Sequence, residues 1–151
     1  MRLEFTRHGD RFDLVVTGTK GPDLILQDHD TGRTLPHDLV HAVVERALGI
    51  EDGFCGALAR GATFKGFQRV VPARHQRSGL KTLRRSADRV LAAELKVNWA
   101  VRAWEGRDIS GPGVGGPQLS EPELRVAVAV IEEAARRWRA LDDGDVLVID
   151  W

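Results

Sequence analysis

Two of the five histidines in the chain stand four residues apart, in Pro36-His37-Asp38-Leu39-Val40-His41. On a helix this spacing puts both imidazoles on one side, about one turn apart, where they reach a single cation. It is the arrangement of HExxH metallopeptidase helices, in which the intervening glutamate activates a metal-bound water. Asp38 holds that place here. One methylene shorter, it can act as a base or orient a ligand by hydrogen bonding, but it meets the water from a different position. His37 falls in the first helical turn, whose positive end favours the neutral, ligand-competent imidazole.

A metal site asks for a third protein ligand, and helical phase nominates one. A long helix is expected from about Ser78 or Leu80 to Trp104, with an apolar stripe of Leu80, Leu83, Ala87, Val90, Leu91, Val97 and Val101. At about 100° per residue, Glu94 and Asn98 fall almost at the centre of that stripe. A buried carboxylate needs a partner: an arginine, a hydrogen-bond network or a metal. Glu45, one turn beyond His41, is the alternative ligand, with a simpler reading as an exposed residue on the polar face of its own helix. The candidate site is therefore His37, His41 and Glu94 around zinc or another divalent ion, with Asp38 as base. The competing structural reading has His37 and His41 bordering the core, hydrogen-bonded to backbone or to Glu94.

The segment His37-Asp38-Leu39-Val40-His41 also resembles the zinc-binding HDxxH motif of the ubiquinone-biosynthesis zinc protein family. There a glutamate follows about three turns on. Gly53 stands at that distance here, with Glu51, Asp52 and Glu45 close by. The resemblance covers the motif and the stretch from Leu48 to Gly56, and implies that His37, Asp38 and His41 surround a metal. It implies no quinone substrate, and the family is largely helical whereas this chain opens with strands.

Those strands come first among the elements that must position the site. Leu3-Glu4-Phe5-Thr6 and Phe12-Asp13-Leu14-Val15-Val16 flank a Gly9-Asp10 turn and read as a hairpin. Asp23 to Asp28 reads as a third strand, Asp28-His29-Asp30-Thr31-Gly32 as a turn, and Arg33-Thr34-Leu35 as a residue or two of further strand. Pro36 in the first turn and Gly49 as the stop bound the histidine helix, whose apolar stripe is Leu39, Val40, Val43, Val44, Ala47 and Leu48. A short helix packed by Phe54 and Leu58 follows, then a loop or short strand from Phe64 to Pro72. After the long helix, Gly111 to Gly116 reads as a linker or lid, since it matches neither phosphate-binding glycine pattern. Ser120-Glu121-Pro122-Glu123 is a capping box opening a last helix with a core face of Leu124, Ala127, Val128, Ile131, Ala134, Ala135, Trp138 and Leu141. The segment from Asp145 to Trp151 is a terminal strand that adds to the N-terminal sheet. The predicted fold is α+β: a small, mainly antiparallel sheet packed against about four helices.

Composition bounds the rest. A chain of 151 residues, 42% hydrophobic, suits a single domain spanning 1–151. Lys+Arg and Asp+Glu balance at 22 each, so no global charge draws it to nucleic acid or an anionic membrane. The lone Cys55 makes no internal disulfide and reads as a small buried residue. Arg2, Glu4 and Arg7 interrupt any leader-like run and no stretch is apolar enough to span a bilayer, so a cytoplasmic location is expected. His8, His29 and His75 fall in expected turns and face solvent, and the His29 loop lacks EF-hand ligand spacing.

The leading function is a zinc-dependent, hydrolase-like activity on an unspecified small molecule or peptide. A second class is a nucleic-acid or protein-binding module built on region 69–89, where Arg69, Arg74, His75, Arg77, Lys81, Arg84, Arg85 and Arg89 cluster. Neutral net charge and the absence of interleaved aromatics count against it. Trp99, Trp104, Trp138 and Trp151 offer anchors for a homo-oligomer, or core.

Overall fold

Alternation decides the sheet. In β1 (Arg2–His8) and β2 (Arg11–Thr17), Leu3, Phe5, Phe12, Leu14 and Val16 are fully buried, while the residues between them keep part of their surface. That is the period of two expected where one face packs on a core. The hairpin turns through Gly9, whose φ of 62° suits a residue without a Cβ, and brings His8 opposite Arg11 and Arg2 opposite Thr17. The computed structural model describes the backbone of residues 1–32, 34–72, 80–109 and 118–151, and their side chains apart from those of 80–86.

β3 (Leu24–Asp30) runs further than the sequence suggests. The register with β2 shifts between Phe12 and Leu14, so that Asp13 faces two residues, and Asp28, at φ 52°, donates its amide to the Asp13 carboxylate at 2.8 Å. The polar run expected to turn is instead a bulged strand end. His8 and His29 therefore lie in strands, exposed as expected. Thr34 and Leu35 do not extend the sheet; they lead by a turn into the first helix. β4 (Gln68–Arg69) pairs with β3, and β5 (Val146–Asp150) pairs with β1, giving a five-stranded antiparallel sheet in the order β4-β3-β2-β1-β5.

Four helices complete the α+β fold. α1 (His37–Leu48) starts after Pro36, which occupies the N-cap rather than the first turn, and stops at Gly49 in the left-handed region, φ 64°. α2 (Phe54–Ala59) is short and almost wholly buried. α3 (Leu80–Trp104) packs against α1, α2 and α4 (Glu121–Arg139). α4 opens as its capping box predicts: Glu123 accepts the Ser120 amide at 2.8 Å and the Ser120 hydroxyl at 2.6 Å. Its core face of Ala127, Ile131, Ala134, Ala135 and Trp138 joins the inner face of the sheet in one apolar cluster, the Trp138 ring meeting Phe12 edge-on.

Helical phase is where expectation and structure part. On α3, Leu91 is 60% exposed, and the buried positions are Ala93, Val97, Trp99 and Ala100. Glu94 and Asn98 consequently lie at the edge of the buried face and not at its centre. On α1, Ala47 is exposed, while His41, Ala42 and Glu45 are buried with Leu39, Val40 and Val44. Glu45 is thus a core residue, which overturns its reading as an exposed polar-face residue. Arg74, His75, Arg77, the side chains of Lys81, Arg84 and Arg85, the helix lead-in at Ser78 and the connector Gly111 to Gly116 lie outside the described residues and side chains. No helix among the described residues is long and apolar enough to cross a membrane.

Candidate metal centre

The i, i+4 spacing on α1 stacks His37 over His41, ring centroids 4.7 Å apart and nearly perpendicular. Their burial differs sharply, since α1 turns His41 inward, with 3% of its side chain exposed, and leaves His37 at the rim, 54% exposed. α3 crosses in front of them and delivers Glu94. Glu94 Oε2 lies 2.8 Å from His41 Nε2, and Glu94 Oε1 lies 3.7 Å from His37 Nε2. Asn98, one turn on, donates its side-chain amide to Glu94 Oε1 at 2.8 Å and steadies the carboxylate. One ligand atom from each of His37, His41 and Glu94 lies within 4.8 Å of the others, close enough to hold a metal ion.

The donor set and its spacing suit such an ion. Around a tetrahedral zinc with bonds of about 2.0–2.1 Å, neighbouring ligand atoms stand roughly 3.3–3.4 Å apart. The separations of 2.8 and 3.7 Å are made by different oxygens of Glu94, so an ion would draw the three ligand atoms, now within 4.8 Å of one another, onto a single oxygen of that carboxylate. Without an ion, His41 serves as the cation. Burial alone lowers its pKa, but hydrogen bonds to Glu45 and Glu94, with their negative charge, outweigh burial and carry it up to about 9. Glu94 is held below the ordinary carboxylate value, chiefly by the hydrogen bond from His41. His37 goes the other way: burial and the neighbouring His41 charge lower it, against the pull of Glu94 and Asp38. Its neutral form is favoured by burial and by His41, where the sequence pointed to the helix end.

Asp38 sits beside this group on the first turn of α1, half-buried, its carboxylate accepting no hydrogen bond among the described residues. Burial pushes its carboxyl above the ordinary value, and the charges of His41, His37 and His29 oppose that rise. A desolvated carboxyl with no fixed partner, next to a cluster of ligands, has the properties of an acid or base.

Glu45, weighed in sequence as the alternative ligand with a simpler reading as surface-exposed, is buried behind His41 instead. Its side chain is 0% exposed, and its Oε1 accepts from His41 Nδ1 at 2.8 Å and from the Phe54 amide at 2.8 Å, while Oε2 accepts from the Cys55 amide at 3.0 Å. The i, i+4 relation to His41 was visible in sequence, but the amides of α2 were not. Phe54 in turn lays its ring 5.4 Å from the His41 imidazole and 4.7 Å from Phe64, so one side of His41 is walled by aromatic carbon. Cys55 is buried, as expected, with its thiol pushed well up by burial, so it offers no nucleophile.

No family model, curated protein or solved structure matches the chain.

Proposed function

We propose that the protein binds a divalent metal ion, zinc by preference, through His37, His41 and Glu94, and uses it for hydrolysis. The observation that carries this reading is the convergence of two imidazoles from α1 and one carboxylate from α3 on one point. Two nitrogen donors and one carboxylate form the ligand set of catalytic zinc sites, which leave a fourth position for water or substrate. A metal so bound supplies a water acidic enough to lose its proton near neutral pH and a Lewis acid for a carbonyl or phosphoryl oxygen.

The chain's own residues divide the remaining work. His37, at the rim, marks the side open to solvent and substrate. Asp38, with a carboxyl raised by burial, would serve as the base for a water held at the site. Phe54 is buried against His41, and the half-buried Phe64 and Phe67 beyond it are the rings of this group that keep apolar surface open to a substrate.

Metal analysis of purified protein tests the site: zinc near one equivalent per chain is expected, lost in His37→Ala/His41→Ala and in Glu94→Gln. Equal trace metal in all three proteins refutes it. For the chemistry, zinc-loaded protein is assayed against activated esters, amides and phosphoesters. Asp38→Asn is expected to lower turnover on the order of 10²–10⁴-fold with metal content unchanged; unchanged turnover removes Asp38 from the mechanism.

A further inference from the structure

Glu45 is a fully buried carboxylate that makes no ion pair with a lysine or arginine among the described residues; its partners are one imidazole and two backbone amides. The two amides can only donate, so both Glu45 oxygens act as acceptors there, and the His41 Nδ1 contact completes the set, with Nδ1 as donor wherever Glu45 accepts. The space it occupies is reserved by Gly53, where a Cβ would fall 2.3–2.5 Å from the Glu45 carboxyl carbon and both its oxygens. Gly53 has no side chain to cap α2, and Glu45 satisfies the helix's first two amides in its stead.

We infer that Glu45 is a positioning residue for the metal centre, keeping a proton on His41 Nδ1 when a metal displaces the one on Nε2, so that the freed Nε2 lone pair faces His37 and Glu94. This rests on the metal reading above. A neutral imidazole has one proton, and the nitrogen that keeps it cannot bind a metal. By demanding a donor at Nδ1, Glu45 leaves Nε2, 2.8 Å from Glu94, as the ligating atom. A carboxylate behind a ligating histidine also raises its basicity toward the ion. The same carboxylate anchors the Phe54 amide and so places the aromatic ring against the imidazole, coupling the fold of α2 to the aim of His41.

The experiment is a zinc titration of the full chain, with a zinc-competing chromophoric chelator, for wild type, Glu45→Gln and Gly53→Ala, joined to long-range ¹H–¹⁵N spectra of the histidine rings in zinc-loaded wild type. Expected are a proton on His41 Nδ1 and a metal-shifted Nε2, with zinc affinity lowered about 10–100-fold in both variants. A purely structural Glu45 would lower thermal stability and leave the zinc affinity of the folded protein unmoved; that result, or zinc on Nδ1 of wild type, overturns the inference. Should both variants fail to fold, the ring spectra of wild type decide. Wild type that takes up no zinc overturns the metal reading, and this inference with it, whereas zinc bound equally by wild type and the variants overturns this inference alone.

Discussion

His37 and His41 share a helix, a face and a chemical type, yet the fold gives them opposite conditions. His41 is enclosed, each ring nitrogen 2.8 Å from a carboxylate oxygen, while His37 is half open and, among the described carboxylates, pairs with Glu94 alone, at 3.7 Å. The difference teaches that ligand spacing alone does not make two residues equivalent. One is part of the core and carries fold stability as well as chemistry, while the other is free to move with whatever it binds.

The comparison breaks most readily at His41. His41→Ala leaves the buried Glu45 carboxylate without its cation and is expected to destabilise the metal-free protein by about 3–5 kcal/mol in denaturant melts. A loss under 1 kcal/mol would mean that water or the α2 amides already satisfy Glu45.

Stability against pH sharpens the same point. His41's pKa of about 9 in the folded protein exceeds its ordinary 6.5, so its contribution is fully present below about 6.5 and is lost as pH rises through about 9. The amount is on the order of 3 kcal/mol, counted once for the His41 and Glu94 shifts together, because they describe one interaction. The decline should persist in His37→Ala and vanish in His41→Ala. Zinc must displace the His41 proton, so calorimetry near neutral pH is expected to find proton release on binding and affinity that rises with pH.

Smaller effects belong to the open side. Glu94→Gln should cost about 1 kcal/mol of metal-free stability, its half-open position allowing water to compensate. His37→Ala should change it by less than about 0.5 kcal/mol while removing tight zinc binding. A His37→Ala protein as unstable as His41→Ala would erase the distinction.

Much of this fold was legible because its signals are local. The Gly9 hairpin, the Gly49 stop, the Ser120 capping box and the core face of α4 each depend on residues a few positions apart, and each is where the sequence puts it. The phases of α1 and α3 were not legible for opposite reasons: on α1 a polar side chain is assigned to the surface by default, while on α3 counting the exposed Leu91 as core draws the stripe toward Glu94. Glu45 escapes that rule through amides nine and ten residues away, which no periodicity registers. Gly53 was the available clue: a glycine opening a helix beside an acid one turn past a histidine. Glu94 meets one half of its sequence expectation. It does need a partner, and it has His41, but it lies at the margin of the buried face and not at its middle. The bulge at Asp28 reads as a turn in sequence because both draw on the same polar residues.

The place of β1 in the sheet has a consequence for the order of folding. One flank of β1 pairs with β2 across a tight turn, and the other pairs residues 2–6 with residues 146–150. A hairpin closes in roughly 1–10 μs, while contacts distant in sequence wait on closure of a far longer loop. Amide protection is therefore expected first along β1 and β2 and last along β5. The two histidines arrive together in one helical turn, and Glu94 joins them only when α3 docks, so the ligand set forms part-way between those two events.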